Sequence, residues 1–259
     1  MEIPAIAPGA SASPDLAFSH GARDRLTAHD LGRFVGTTLF DKLGRVVCGV
    51  GKLPRKELYE AWEVARRVRR WCRGGRVVDV AGGHGLLAHA MLLLDDSSAE
   101  ALVIDPKIPR SATALHEAIV SEWPRLKGRV RYVANDIREF PLAATDVLVS
   151  SHACGALTDV VLDAAASARA TVAVLPCCHD LGRNQAGRTA GALAGWLDGA
   201  MAIDVRRATR LEAKGYRVRT QTIPSDITPK NRLMICAPDP STPGMAPTER
   251  LLAEWSHIS

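Results

Sequence analysis

The chain has 259 residues, 47% of them apolar, and its mean hydropathy is close to zero. This composition excludes a disordered chain and a membrane-spanning one. No basic segment followed by an apolar core marks a secretory leader, so we predict a cytoplasmic location with no membrane partner. The net charge of +5 favours a polyanionic partner such as RNA, although arginines on a solvated helix would give the same charge.

The chain divides into four predicted segments. Residues 1–24 are rich in Ala, Pro, Ser and Gly and are predicted to form a disordered tail. Residues 25–75 are predicted to form a helical cap, which includes an amphipathic helix over Lys56–Cys72 with a basic outer face. Residues 76–240 make up the main domain, and residues 241–259 a C-terminal tail.

Short β-branched runs alternate with helical segments through the main domain. Strands separated by helices form parallel sheets, whereas the last two strands have no room for a helix between them and must run antiparallel. We therefore predict an α/β fold with a Rossmann-like, seven-stranded, mostly parallel sheet, an antiparallel last strand, and helices on both faces. The predicted strands are Arg76–Val80, Ala101–Ile104, Val130–Val133, Asp146–Ser150, Thr171–Leu175, Tyr216–Thr222 and Arg232–Ala237, and the predicted helices are Leu86–Leu94, Ala112–Trp123, Leu157–Ala168 and segments across Ala186–Lys214.

The most informative segment is the glycine-rich turn that ends Val77–Gly85, between the first strand of the domain and a helix. Glycines permit positive φ and close approach of a ligand, and a helix N-terminus suits a carboxylate. Asp79, Asp105 and Asp136 follow or end three successive strands, where ligands bind in open α/β sheets. Because Gly83-x-Gly85-x-x-Ala88 also fits a dinucleotide fingerprint, an NAD-dependent oxidoreductase is an alternative interpretation.

These residues resemble the class I SAM-dependent methyltransferases, over roughly Arg76–Ala237. The resemblance implies S-adenosyl-L-methionine (SAM) as the cofactor, with Asp79, Gly83 and Gly85 at its methionine part. It also implies Asp105 at the ribose and Asp136 at the adenine. Ala81 stands where many members have the first glycine of the loop, and we expect its φ to be negative because alanine disfavours the left-handed region. The other residues predicted to bind the cofactor are Ala81, Gly82, Pro106, Ile137 and Ser151.

Two loops that follow the fourth and fifth strands are rich in His and Cys. Ser150–Asp159 contains His-x-Cys-Gly, and Leu175–Asp180 contains Cys-Cys-His. Together with Ile227–Arg232, these loops resemble a methyltransferase-domain family that includes the eukaryotic tRNA acceptor-stem 2′-O-methyltransferases. The resemblance implies RNA, with tRNA as the specific case, as the acceptor of the methyl group. A small-molecule or protein methyltransferase and a noncatalytic SAM- or RNA-binding module are the alternatives.

The side chains of these loops have several candidate roles. A hydroxyl nucleophile benefits from a base or a positioning hydrogen bond, for which His152 is the first candidate and His179 the second. Four soft ligands could form a metal site, but adjacent cysteines are an uncommon chelating pair, so we predict no metal. Buried thiols that only pack under the loops are the structural alternative. The predicted substrate-binding residues are Cys154, Cys178, Lys230 and Arg232.

Overall fold

The computed structural model describes residues 18–179 and 195–241. The parts of the predicted tails at 1–17 and 242–259, and the helical prediction for 186–194, lie outside these described residues. The described helices are α1 (Leu39–Val50), α2 (Arg55–Val68), α3 (Leu86–Leu94), α4 (Ser111–Glu122), α5 (Ala156–Ala168) and α6 (Gly199–Ala213), with 3-10 turns at Ala28–Arg33, Pro124–Leu126 and Ile137–Glu139. The strands are β1 (Val77–Val80), β2 (Ala101–Ile104), β3 (Val130–Val133), β4 (Val147–Ser150), β5 (Thr171–Val174), β6 (Tyr216–Thr222) and β7 (Arg232–Pro238).

The strands form one seven-stranded sheet in the order β3-β2-β1-β4-β5-β7-β6. The first five strands are parallel, and β7 runs antiparallel to both of its neighbours, β5 and β6. The predicted fold class and the antiparallel last strand are therefore confirmed. The chain order reverses at β1, so β2 and β4 lie on its two sides and the loops after all three strands meet at one edge. We call this the carboxyl edge.

Both faces of the sheet are buried. Successive side chains of the central strands point to opposite faces, and each face packs in its own apolar cluster. Val77, Ala101 and Val103 pack with α1–α4, whereas Val78 and Leu102 pack with α5 and α6. Residues buried on both faces of a parallel sheet read as continuous apolar runs, which is why these strands were visible in the sequence.

The N-terminal helices belong to the same layer as α3 and α4. Residues before position 25 also contact this layer, because Phe18 packs against it and Lys56 donates its backbone N–H to Ala22. None of the described helices is both long and apolar enough to cross a bilayer.

Helix α2 ends at Val68, four residues before the predicted end at Cys72. Its last turn is followed by Arg69, whose buried side chain reaches the carbonyl oxygens of Cys72 and Met91 at 3.3 and 3.1 Å. The same guanidinium lies 3.1 Å from Asp95, and both side chains are only 3% exposed. Arg69 thus ties the end of α2 to the end of α3, and it satisfies the carbonyl of Met91, one of those that the last turn of α3 leaves unpaired.

We expect Arg69→Met to lower the free energy of unfolding by about 3–5 kcal/mol, because the buried carboxylate of Asp95 loses the buried guanidinium that neutralises it. Arg73→Met is the matched control, since Arg73 lies 3.8 Å from the same carboxylate but is 72% exposed. That change should cost less than about 1 kcal/mol. Urea unfolding of both variants measures the difference, and equal losses would contradict the assigned role of Arg69.

Candidate active site

The loop between β1 and α3 is held in a left-handed conformation at three positions. Gly83 and Gly85 have φ of 48° and 75°, and Ala81 has φ of 54°. The expectation of a negative φ at Ala81 is therefore wrong. The Ala81 N–H donates to the carbonyl of Ile104 at 2.8 Å, so the turn is anchored to β2 while the chain reverses. An alanine methyl is small enough for this region, at a cost of about 1–2 kcal/mol.

Asp79 lies beneath this loop and is only 1% exposed. Its Oδ2 accepts the backbone N–H of Ala88 in the first turn of α3, at 3.0 Å. A methyl group added at Gly82 would lie 2.7 Å from Cγ of Asp79, so only glycine lets the loop settle on this carboxyl group. Burial raises the pKa of Asp79 to about 8, and the nearby carboxylates of Glu57 and Asp105 act in the same direction. The Ala88 N–H opposes this rise.

Asp105 holds the other side of the loop. Its Oδ2 accepts the N–H of Gly83 at 3.1 Å, and its Oδ1 accepts the N–H of Lys107 at 2.9 Å. A methyl group added at Gly83 would meet nothing within 4 Å, so the space above this residue is open. Open space beside a helix start and between two carboxyl groups fits the amino-acid and ribose parts of SAM.

The predicted adenine-binding residues follow β3. Asp136 accepts the backbone N–H of Arg138 at 2.9 Å and pairs with its guanidinium at 2.7 Å. These contacts hold the pKa of Asp136 below its usual value. The Ile137 side chain is buried in the apolar cluster under α5, so only its backbone remains available to a ligand, whereas Pro106 is exposed.

The loop after β4 is positioned by a residue that the sequence analysis missed. Ser150 Oγ donates to the carbonyl of Val80 at 2.7 Å and accepts the N–H of Ala153 at 3.1 Å. This hydroxyl joins the ends of β4 and β1 next to the glycine loop. Ser151 is buried, and His152 is half-buried with no hydrogen bond to another described residue. A buried hydroxyl at a strand end needs a partner, and that requirement is the signal that points to Ser150.

The two Cys-containing loops meet. The Sγ atoms of Cys154, Cys177 and Cys178 all lie within 4.8 Å of one another, and those of Cys154 and Cys177 are 2.6 Å apart. The N–H of Gly155 donates to the carbonyl of Cys178 at 3.2 Å, which joins the two loops through the backbone. Burial raises the pKa of the Cys154 and Cys177 thiols, and the ammonium of Lys56 opposes this effect at Cys154.

His179 does not join this group. Its Nε2 lies 2.7 Å from Asp204, its side chain is 2% exposed, and its Nδ1 is buried without a hydrogen bond in the described structure. Arg232, predicted to bind substrate, donates to the other oxygen of Asp204 at 2.8 Å, and Arg207 also contacts this carboxylate. The side chains of His179, predicted as a second candidate base, and of Arg232, predicted to bind substrate, both contact Asp204, whereas Lys230 is exposed.

Asp204 itself could not be found from the sequence, because it lies on α6 and two of its partners, His179 and Arg232, come from other elements. Burial acts to raise its pKa, but the hydrogen bonds from His179 and Arg232 outweigh burial, so the pKa of Asp204 lies below its usual value. The sequence analysis also missed Glu57, on the first turn of α2. Its carboxylate lies 3.5 Å from the ring of His84 in the glycine loop, which places the first turn of α2 beside that loop.

The family described as methyltransferase domain matches residues 56–185, just over half of the 259 residues. The chain belongs to this methyltransferase-domain family. The membership confirms the predicted enzyme class, a SAM-dependent methyltransferase, and with it the predicted cofactor. The matched residues include the glycine loop, the loop after β4 and the Cys-Cys-His segment. No curated protein matches the methyltransferase in sequence.

Several solved structures share its general layout. An O-methyltransferase family protein from Burkholderia thailandensis is 16% identical, with a TM-score of 0.46 over 83% of this chain and 68% of that one. Magnesium protoporphyrin IX methyltransferase from Synechocystis PCC 6803, with bound SAH, is 13% identical, with a TM-score of 0.47 over 80% of this chain and 97% of that one. Similarities this distant do not identify a substrate.

The buried carboxyl group of Asp79 makes the stability of the folded protein depend on pH. In the unfolded chain Asp79 ionises near pH 4, whereas in the folded protein its pKa is about 8. The folded state therefore binds the proton more tightly, and wild-type stability is lost as pH rises from 4 to 8. We expect Asp79→Asn to raise the melting temperature relative to wild type, with a gain that is small at pH 4 and largest at pH 8.

The same substitution should weaken SAM binding by at least about 10-fold, because the ammonium of the ligand loses an anionic partner. Thermal unfolding across this pH range and calorimetric titration with SAM measure the two effects. Glu117→Gln, an exposed acid on α4, is the control and should change neither. A pH-independent effect of Asp79→Asn on melting would refute the assigned protonation state.

Proposed function

We propose that this methyltransferase modifies RNA at a hydroxyl group. The observation that supports RNA is a set of exposed cations around the carboxyl edge that form no ion pair with another described residue. Unpaired cations around a catalytic cleft attract a phosphate backbone. Their contacts to phosphates position the nucleic acid but do not distinguish one base sequence from another. These cations are Lys52, Lys107, Arg110 and Lys230.

Each of these cations is placed at that edge by the fold. Lys107 and Arg110 follow β2 and flank the loop that carries Asp105. Lys230 precedes the antiparallel strand β7, so it lies beyond the end of β5. Lys52 precedes α2, whose first turn contacts the glycine loop through Glu57.

The basic run along α2, which first suggested a polyanion, supports the proposal much less. Arg66 and Arg67 both pair with Glu63 on the same helix. Arg69 is buried against Asp95, and Arg76 pairs with Asp146. An ion-paired cation contributes little to the field that steers a polyanion.

Residues on the two sides of β1 would have different roles in the reaction: one side would hold the cofactor and the other the acceptor. SAM, when bound, supplies a methyl group on a positively charged sulfur. The glycine loop and Asp105 would hold it on one side, while the loop after β4 faces the acceptor on the other. His152, with a free ring at that loop, would accept the proton that the acceptor hydroxyl loses as its oxygen bonds to the methyl carbon and the carbon–sulfur bond breaks, with S-adenosylhomocysteine as the leaving group. Fixing the hydroxyl in line with the carbon–sulfur bond contributes further.

The direct test is incubation of the protein with labelled SAM and, separately, with RNA, protein and small-metabolite fractions. We expect label in RNA, and methylation of a ribose 2′-hydroxyl would appear as dinucleotides that resist alkali. Label confined to the protein or metabolite fraction would overturn the RNA assignment while leaving methyl transfer intact.

The cations give a quantitative prediction. Lys107→Ala/Arg110→Ala should lower RNA affinity several-fold at low salt. It should also reduce the slope of log affinity against log salt by about 1.4–1.8, since two phosphate contacts are lost. The matched control is Lys127→Ala/Arg217→Ala, two exposed cations at the opposite edge of the sheet, and it should leave the slope unchanged. Fluorescence anisotropy in a salt series measures both variants. Equal slopes in all three proteins would rule out this edge as the RNA-binding surface.

His152 is tested separately from RNA binding. We expect His152→Ala to lower kcat by about 10²–10⁴-fold without changing the Kd for SAM, because the ring acts on the acceptor and not on the cofactor. His29→Ala, on the exposed 3-10 turn before α1, serves as the control. Recovery of activity in His152→Gln would show that the ring positions the hydroxyl rather than taking its proton. Unchanged kcat in His152→Ala would remove the residue from the mechanism.

A further inference from the structure

Three thiols from two loops converge at the carboxyl edge, between β4 and β5. Cys154 follows β4, and Cys177 and Cys178 follow β5, yet their sulfur atoms all lie within 4.8 Å of one another. We propose that these three cysteines bind a soft divalent cation of the zinc class, with a fourth coordination position open to solvent or to the acceptor.

The spacing of the sulfurs fits such an ion. Zinc–sulfur bonds of about 2.3 Å in a tetrahedral site place neighbouring sulfurs about 3.8 Å apart. The observed separations extend from 2.6 Å, between Cys154 and Cys177, to a limit of 4.8 Å, so they lie on both sides of this value. Shifts of about 1 Å, within the reach of χ1 rotations, would bring the three sulfurs to one ion.

The backbone already holds the two loops together without the ion. Strands β4 and β5 pair in parallel up to Ser150 and Val174, and the Gly155 N–H donates to the Cys178 carbonyl just beyond them. Because the two loops are already held together, binding an ion there would cost little conformational entropy in the loops. The adjacency of Cys177 and Cys178, which argued against a metal in the sequence, does not stop both sulfurs from pointing to one place.

The donor set selects the class of ion. Thiolates are soft ligands that favour zinc or copper(I) over magnesium or calcium, and no carboxylate belongs to this cluster among the described residues. Cys154 and Cys178 are exposed, so an ion has an entry path and its fourth position remains accessible. His179 does not supply that fourth ligand, because its ring contacts Asp204. Three protein ligands with one open position is the arrangement of catalytic rather than structural zinc sites.

A disulfide between Cys154 and Cys177 is the competing account of the short contact. A disulfide would involve only two of the three thiols. It would not explain why the Sγ atom of Cys178 also lies within 4.8 Å of the other two sulfur atoms. A metal site uses all three. Because the proposal concerns an ion and three side chains, it holds whatever the acceptor is, and its failure would leave the RNA assignment untouched.

The test is cobalt titration of the full-length protein, purified under reducing conditions and stripped with a chelator. We expect about one cobalt ion to bind per chain, with the near-ultraviolet thiolate charge-transfer band and strong visible bands of a four-coordinate site, and zinc to displace it. Cys154→Ala, Cys177→Ala and Cys178→Ala should each weaken binding by about 100-fold or more. Cys48→Ala, a buried cysteine on α1, is the matched control and should bind as wild type does.

A second measurement on the unaltered chain guards against variants that fail to fold. Zinc should protect three of the six cysteines from alkylation, and mass spectrometry of peptides should locate them at positions 154, 177 and 178. The proposal fails if wild-type protein shows no thiolate–cobalt band, or if Cys178→Ala binds cobalt as tightly as wild type. It also fails if the reduced protein binds no metal and air oxidation joins Cys154 to Cys177 instead.

Discussion

The site depends on one buried carboxyl group, that of Asp79, and on the loop that folds over it. Its hydrogen bond to the Ala88 N–H sets where α3 begins, and the absence of a side chain at Gly82 lets the loop close on it. Asp105 then fixes the top of the same loop through Gly83. A buried acid with a raised pKa destabilises the protein without its ligand, and an ammonium group beside it would reverse that penalty. A bound ammonium group would therefore complete the proposed cofactor site.

The sheet order explains why the proposed cofactor and acceptor positions both lie beside this loop. Strand β1 has β2 on one side and β4 on the other, so the chain leaves β1 at the point where the winding of the sheet reverses. In the proposed reaction the acid after β2 would serve the cofactor side, and the Ser150–His152 segment after β4 would serve the acceptor side. Ser150 joins the two halves through the carbonyl of Val80. The open ring of His152 and the cysteine cluster both lie beyond that hydrogen bond, on the acceptor side.

Most of the fold could be predicted because it depends on patterns local to each element. Apolar strands, the glycine turn and the short connection before β7 were all visible, and the strand ends differ by one residue at most. What could not be predicted depends on contacts between distant elements. The φ of Ala81 follows from its N–H bonding to β2, and the position of His179 follows from Asp204, 25 residues further along the chain. Alanine favours a negative φ, but hydrogen bonds to other elements can hold a turn residue in the left-handed region.

The net charge of the chain, likewise, does not show where its unpaired cations lie. The net charge of +5 and the arginine-rich α2 pointed to a polyanion, but the structure pairs much of that helix's charge with Glu63 and Asp95. Four exposed cations that form no ion pair with another described residue lie instead at the carboxyl edge, on loops whose sequence gives no run of basic residues. Lys107 and Arg110 flank the cofactor side and Lys230 the acceptor side, so a bound phosphate backbone would cross the cleft between them. Electrostatic attraction of RNA to this edge would therefore depend on the positions of three or four isolated side chains, and the strand order determines those positions.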